Sequence, residues 1–201
     1  MNKVITISRE FGSGGREFGR RLAEELGFDY YDKEIISEIA KKTSMSEEFI
    51  KEVTDKKPHN LFPITFGHTF IYIDNYYPLH QANDIYIEQN NIIKEMAQRS
   101  NCIIIGRCAD YILEDKDPFR IFIYADMESK VKRCKERAPE GEDLSDKELR
   151  KKINSVNKGR AQYYEYYTGR NWGDKLNYDL CINTTNANIK ELVEVVAKLF
   201  K

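Results

Sequence analysis

The densest group of residues able to bind a charged ligand lies near the start of the chain. Its members are Arg9, Gly12, Ser13, Gly14, Gly15, Arg16 and Glu17. Glycines let several backbone N–H groups converge on one point without a Cβ between them, and an arginine donates paired hydrogen bonds to phosphate oxygens. The string therefore predicts a phosphate-binding loop.

The segments on either side of this loop support that prediction. Val4 to Ser8 is short, apolar and β-branched, which is typical of a buried strand in a parallel sheet. After the loop, apolar residues recur at helical spacing until Gly27, a suitable C-cap. The partial positive charge of the helix N-terminus then falls at the loop. A glycine-rich turn without a ligand is the alternative, but the order strand, loop and helix favours phosphate.

The rest of the chain alternates short apolar segments with helical ones. Further strands are predicted at Phe28 to Tyr31, Cys102 to Gly106, Arg120 to Tyr124 and Tyr178 to Asn183. Helices are predicted at 33–42, 46–53, 84–98, 126–137, 145–164 and 189–200, with an irregular segment at 56–83 that contains three prolines. This pattern predicts one α/β domain over residues 1–201, with a five-stranded parallel sheet and helices on both of its faces.

Several strings in the chain together resemble those of one enzyme family. They are Ser8-Arg9-Glu10, Gly12 to Glu17, Leu22 to Gly27, Tyr31-Asp32 and Gly106-Arg107. The chain is similar to the cytidylate kinase-like branch of the P-loop nucleoside monophosphate kinases, nearly from end to end. The resemblance implies a three-layer P-loop NTPase fold, ATP and a nucleoside monophosphate such as CMP as substrates, and Mg²⁺ as the cofactor that accompanies ATP.

The resemblance also implies roles for residues outside the loop. It places an acceptor-side insertion at about 33–98, with Asp32 and Arg107 binding the acceptor nucleotide, and a lid at about 138–172. Arginines near the lid of such kinases act on the transferring phosphate. The catalytic candidates are Arg16, Arg133, Arg137, Arg160 and Arg170.

The loop departs from the Walker A pattern G-x-x-x-x-G-K-[ST]. In register, Arg9 replaces the first glycine and Gly15 replaces the lysine, while Ile105 stands where a typical cytidylate kinase has an aspartate. We expect Arg9 or Arg16 to substitute for the lysine. Glu17 is expected to hold Mg²⁺ through water, because this ion prefers one or two carboxylates and keeps several of its waters.

Composition and charge argue against other classes of function. The net charge of −1 does not suit a nucleic-acid-binding polycation, and no apolar stretch approaches the roughly 18 residues that span a bilayer. We therefore expect a cytoplasmic protein with neither nucleic acid nor membrane as a partner.

The histidines and cysteines do not indicate a metal site. The spacing of His59, His68 and His80 matches no metal motif, and the cysteines form no CxxC pair. Cys102 and Cys181 lie in apolar runs and are predicted to be buried.

The string Tyr163-Tyr164-Glu165-Tyr166-Tyr167 contains more tyrosines than one helix turn can bury. Either a stacked nucleobase or a homodimer interface would accommodate the surplus. Trp172 and Asp179 are interpreted as structural.

Three functions compete at this point. The first is an ATP-dependent nucleoside monophosphate kinase, and the second is a nucleotide-binding module without catalysis. The third is a kinase for a different small acceptor, because residues 44–90 do not closely resemble the usual acceptor domain.

Overall fold

The computed structural model describes residues 2–55, 65–66, 69–70, 76–138 and 144–201. In chain order the strands are β1 (Val4–Arg9), β2 (Asp29–Tyr31), β3 (Thr65–Phe66), β4 (Thr69–Phe70), β5 (Cys102–Ile105), β6 (Phe119–Tyr124) and β7 (Leu180–Asn183). Five of them form one sheet in the order β2-β5-β1-β6-β7, in which every pairing is parallel. The predicted five-stranded parallel sheet is confirmed. β3 and β4 form a separate antiparallel pair.

Eight helices connect and cover these strands in the described part of the chain. They are α1 (Gly15–Leu26), α2 (Lys33–Thr43), α3 (Glu47–Asp55), α4 (Tyr76–Arg99), α5 (Ala109–Ile112), α6 (Met127–Glu136), α7 (Asp146–Thr168) and α8 (Ile189–Ala197). Caps mark the start of two of the predicted helices: the Asp126 carboxylate accepts from the Ser129 N–H, and Ser145 and Glu148 form a capping box.

Two helices are longer than the sequence suggested. α4 begins eight residues earlier than predicted. Pro78 does not prevent this, because it lies in the first turn of the helix, where the missing N–H needs no helical partner. α7 continues four residues past Tyr164 and ends at Gly169, which adopts the left-handed conformation with φ +67°. The remainder of the segment predicted to be irregular, at 56–64, 67–68 and 71–75, lies outside the described residues.

Alternation along the strands divides the core between the two faces of the sheet. On one face Ile5 and Ile7 pack with residues of α1 and α8, such as Leu22 and Val193. On the other face Val4 packs with residues of α2 to α5 and α7. Both faces of the central strands are therefore covered, which gives the three layers that the resemblance implied.

The tyrosines of α7 are accommodated within the chain. Tyr163 and Tyr164 are buried. Tyr167 stacks on Tyr86 of α4 with ring centroids 3.8 Å apart, and Tyr166 packs edge-on against Tyr167 at 4.9 Å. The helix packs against other helices as well as the sheet, so neither a nucleobase nor a partner chain is needed to explain the cluster.

The prediction for Cys181 was wrong. Cys102 is buried as expected, because β5 lies inside the sheet, but Cys181 is exposed on the edge strand β7. Among the described residues, no helix combines the length and the apolar character needed to cross a bilayer.

Candidate functional site

The glycine loop lies at the carboxyl end of β1, as predicted. β1 ends at Arg9 and α1 begins at Gly15, with Gly12 and Gly14 between them at φ +78° and +81°. Such positive angles are costly for residues with a Cβ, so these positions favour glycine. The Ser13 hydroxyl donates to the Glu10 carbonyl at 2.8 Å and is thus bound within the loop.

Residues that the sequence analysis did not single out brace this loop. The Glu10 carboxylate accepts from Nζ of the buried Lys130 at 2.8 Å. Oγ1 of the fully buried Thr184 donates to the Ser13 carbonyl at 2.7 Å. Thr184 directly follows the last strand of the sheet, and ligands of parallel sheets bind at the carboxyl ends of the strands. The position of Thr184 directly after a predicted strand was therefore the feature of the sequence that could have identified it as a residue of the site.

The side chain of Arg9 occupies space that is open because residues 15 and 106 are glycines. A Cβ at Gly15 would lie 2.6 Å from Cβ of Arg9, and a Cβ at Gly106 would lie 2.0 Å from its Nη1. Both separations are far below van der Waals contact. A lysine in place of Gly15 would therefore collide with Arg9, which gives a physical reason for its absence from the loop.

Arginines from several elements surround one carboxylate beside the loop. Arg16 Nε lies 2.5 Å and Arg9 Nη2 3.8 Å from the nearly buried Asp32 carboxylate at the end of β2. Arg160 of α7 donates to the Arg9 carbonyl at 2.9 Å. Burial lowers the pKa of Arg9 to about 9; the charges of Arg160, Arg107 and Arg16 also lower it, and Asp32 opposes them. The group stays charged at neutral pH, so positive charge accumulates here and favours an anion.

Arg107 lies in an unusual turn after β5. Gly106, Arg107 and Cys108 follow one another at φ +69°, +58° and +54°. Each non-glycine residue in this conformation costs about 1–2 kcal/mol, and such strain is often found at functional sites. The fully buried Gln89 holds the turn by donating from Nε2 to the Arg107 carbonyl at 3.0 Å.

The two arginines expected to lead into the lid both reach the loop region, through different partners. Arg133 donates to the carbonyl of Thr184, and Arg137, the residue after α6, pairs with Glu17 of α1. Glu17 also accepts from Arg21 at 2.8 Å. Burial opposes ionisation of Glu17, but the hydrogen bond from Arg21 and the charge of Arg137 outweigh it and lower its pKa.

Arg170 is not brought to this site. It pairs with Glu114 at 2.8 Å and lies 5.1 Å above the Tyr111 ring. α7 extends to Thr168, so the eight residues beyond Arg160 cover about 12 Å of helix and carry the chain away from the glycine loop before Arg170.

Other predicted features lie partly outside the described residues. Residues 139–143, at the start of the expected lid, lie outside them, as do His59, His68 and the side chain of His80. In the part of the chain that is described, no three His, Cys, Asp or Glu side chains form a group that could hold a metal ion.

A cavity of about 500 Å³ joins the loop to the predicted acceptor side. Its lining includes Arg16 and Glu17 of α1, Tyr30 and Asp32 at the end of β2, and Arg137 after α6. The cavity is within the usual size range of small-molecule sites. It therefore places a predicted phosphate-binding group and a predicted acceptor-binding group in one cleft.

The parallel sheet, the glycine loop after its first strand and the arginines around that loop define the class of P-loop kinases. Solved structures share the fold. A shikimate kinase from Bacteroides thetaiotaomicron is 15% identical, with a TM-score of 0.57 and 98% of both chains covered. An uncharacterized protein from Eubacterium ventriosum is 27% identical, with a TM-score of 0.68 and the same coverage.

Within this class the family can be stated. Residues 4–186 match the cytidylate kinase-like family, and the chain belongs to it. A cytidylate kinase from Thermococcus kodakarensis is 30% identical over 185 residues, which cover 91% of this chain and 80% of that relative.

Proposed function

We propose that this protein transfers the γ-phosphoryl group of ATP to a nucleoside monophosphate, with CMP as the leading acceptor. One observation carries the proposal: Arg9, Arg16 and Arg160 converge on the glycine loop with the Asp32 carboxylate beside them. Phosphoryl transfer depends mainly on positioning and on neutralising charge on the phosphoryl oxygens. The family membership and the name of the archaeal relative support a nucleotide acceptor.

In this proposal Arg9 and Arg16 share the role of the missing lysine. Backbone N–H groups of the loop and the N-terminus of α1 hold the donor phosphates. Arg9 is fixed between Gly15 and Gly106, so its charge needs little reorganisation when phosphate binds. Arg16 is more exposed and can turn from Asp32 to a phosphate oxygen.

The acceptor side is formed by Asp32 and Arg107 in the same proposal. Release of Arg16 frees the Asp32 carboxylate to accept from a sugar hydroxyl or a base amine. Arg107 would donate two parallel hydrogen bonds to the acceptor phosphate. Arg133, Arg137 and Arg160 would close on the transferring phosphoryl group and exclude water from it.

Mg²⁺ enters this proposal together with ATP. Glu17 lies in the first turn of α1, and its lowered pKa keeps it ionised, so its chemistry fits an ion that keeps its own waters. Glu17 would hold the ion through water after Arg137 has moved to the phosphate, and the ion would neutralise phosphate charge there.

A nucleotide-binding module without catalysis is the second candidate. Two arginines of the cleft are already engaged with carboxylates that the proposal assigns to ligands, Arg16 with Asp32 and Arg137 with Glu17. A protein with these ion pairs intact could bind a phosphate at the loop and transfer nothing. A kinase for another small acceptor is the third candidate, because residues 44–90 do not closely resemble the usual acceptor domain.

A coupled assay of ADP formation separates these candidates. Purified protein with Mg-ATP is offered CMP, dCMP, UMP and AMP in turn, and a thermal-shift series with the same nucleotides reports binding. Turnover that depends on a monophosphate supports the kinase. A thermal shift without turnover supports the binding module, and the absence of both contradicts a nucleotide site.

Arg20→Ala is a matched control for Arg16→Ala in these assays. Both residues lie on α1 and line the cleft, but Arg20 pairs only with the exposed Glu24 among the described residues. We expect its removal to change turnover much less than removal of Arg16.

A further inference from the structure

A second cavity, of about 370 Å³, lies beside β6 and the edge strand β7. Its lining includes Phe122 and Tyr124 of β6, Trp172 and Lys175 from the segment before β7, and Glu10 of the glycine loop. None of its lining residues belongs to the cleft that holds Arg16 and Asp32. The two cavities are thus separate sites in the described part of the molecule.

Aromatic side chains give this cavity its shape. The ring of Trp172 meets Phe122 edge-to-face at 5.3 Å, and the ring of Tyr124 lies 6.3 Å from Phe122 at an angle of 27°. Phe122 is buried, whereas Tyr124 is 37% exposed and Trp172 is half-buried, so part of the aromatic surface is accessible. A concave aromatic surface of this kind suits a flat ring that can stack on it.

Two charged residues at the cavity indicate which groups a ligand would need besides a flat ring. Lys175 is exposed at the cavity and can bind an anionic group. The hydrogen bonds recorded for the Glu10 carboxylate among the described residues all use Oε2, so Oε1 can accept from an N–H donor. A flat ring with N–H donors and a negatively charged substituent has the chemistry of a nucleotide.

We propose that this cavity is a second, regulatory nucleotide site. Glu10 connects it to the glycine loop, because its carbonyl accepts from the Ser13 hydroxyl at 2.8 Å. The Glu10 carboxylate also holds Lys130 of α6, the helix that carries Arg133. A ligand that shifts Glu10 therefore alters both the loop and this helix. Binding at the cavity is independent of the proposed kinase activity, whereas the regulatory effect depends on it.

Trp172 provides a direct measurement, because it is the only tryptophan of the chain. We would titrate the intact protein with AMP and CMP and follow tryptophan fluorescence, excited where tyrosine and nucleotides absorb little. Adenosine and inorganic phosphate, titrated separately, report the contributions of the ring and the anion. The same titrations are run on Arg16→Ala, Lys175→Ala and the matched control Lys198→Ala, an exposed lysine of the C-terminal segment.

The proposal predicts a saturable change in fluorescence that persists in Arg16→Ala and Lys198→Ala. In Lys175→Ala the midpoint for AMP should rise at least fivefold, while the midpoint for adenosine should stay the same. The absence of a saturable change would overturn the proposal. So would a change that disappears in Arg16→Ala and is unaffected in Lys175→Ala, because the signal would then come from the glycine loop. A protein without kinase turnover would leave these fluorescence results as they are, so the two proposals fail separately.

Discussion

Gly106→Ala tests whether the position of Arg9 matters for binding phosphate. Gly106 has φ +69°, so alanine adds backbone strain of about 1–2 kcal/mol. In a chain of this size each kcal/mol lowers the melting temperature by about 2–4 °C. In addition, the new Cβ would lie 2.0 Å from Nη1 of Arg9 and must displace the guanidinium. Loss of one charge-assisted contact, about 1.5–3 kcal/mol, weakens nucleotide binding by roughly tenfold to a hundredfold.

Gly27→Ala separates the two effects. Gly27 has φ +66°, close to that of Gly106, and no heavy atom of the described residues lies within 4 Å of a Cβ placed there. We expect Gly106→Ala to lower the melting temperature at least as much as Gly27→Ala does, since it adds the collision to the backbone strain. Only Gly106→Ala should lose affinity for ATP in calorimetric titration. Equal affinities in the two variants would refute the role given to Arg9.

Further expectations concern single side chains. Arg16→Ala should lower turnover at least tenfold in the coupled assay, with Arg9→Ala similar or smaller, because a charge-assisted contact in the transition state is worth on the order of 3 kcal/mol. Arg107→Ala should raise the KM for the acceptor and leave the KM for ATP nearly unchanged. Glu17→Gln should raise the Mg²⁺ concentration for half-maximal turnover by about tenfold, the loss of one charge-assisted hydrogen bond. Asp179→Asn should destabilise the fold by about 1 kcal/mol near neutral pH in urea unfolding. Hydrogen bonds from Arg120 lower the pKa of Asp179, so this stabilisation is present above the ordinary aspartate pKa of about 3.9 and is lost as pH falls through the lowered value.

Each of these expectations has an outcome that contradicts it. Wild-type turnover in Arg16→Ala would remove that residue from catalysis, and an equal loss of ATP and acceptor affinity in Arg107→Ala would argue against separate sites. An unchanged Mg²⁺ requirement in Glu17→Gln would limit Glu17 to holding Arg137. A stability difference for Asp179→Asn that persists well below pH 3.9, the ordinary aspartate pKa, would contradict the ion pair as its source.

Local patterns in the sequence were sufficient for the architecture. Apolar β-branched runs at Val4 to Ser8 and Cys102 to Gly106 predicted the central strands, and the helix predicted at 145–164 begins within one residue of α7. These signals depend on neighbours within a few residues. Cys181 was misplaced because an apolar run does not show whether its strand lies at the centre or at the edge of a sheet.

The contacts within the site depend on residues far apart in the chain, and this limited their prediction. Arg16 and Arg9 were expected near a phosphate, but their shared contact with Asp32 follows from β2 and β1 lying on either side of β5. Arg137 and Glu17 are 120 residues apart, so no spacing in the sequence indicates their ion pair. The same holds for Thr184 and Ser13.

The position of Arg9 in the fold gives a structural reason for the missing lysine of the loop. From the sequence, Gly15 looks like the loss of a phosphate ligand. In the fold, Gly15 and Gly106 are two places where a Cβ would collide with the side chain of Arg9. In the proposed function Arg9, at the end of β1, supplies part of the charge that a lysine would bring, and the two glycines leave room for its side chain. Arg9 and these glycines therefore form one arrangement. Restoring a lysine at position 15 should harm the site unless Arg9 is replaced by glycine at the same time, because the collision involves the Cβ of Arg9, which any other residue would keep.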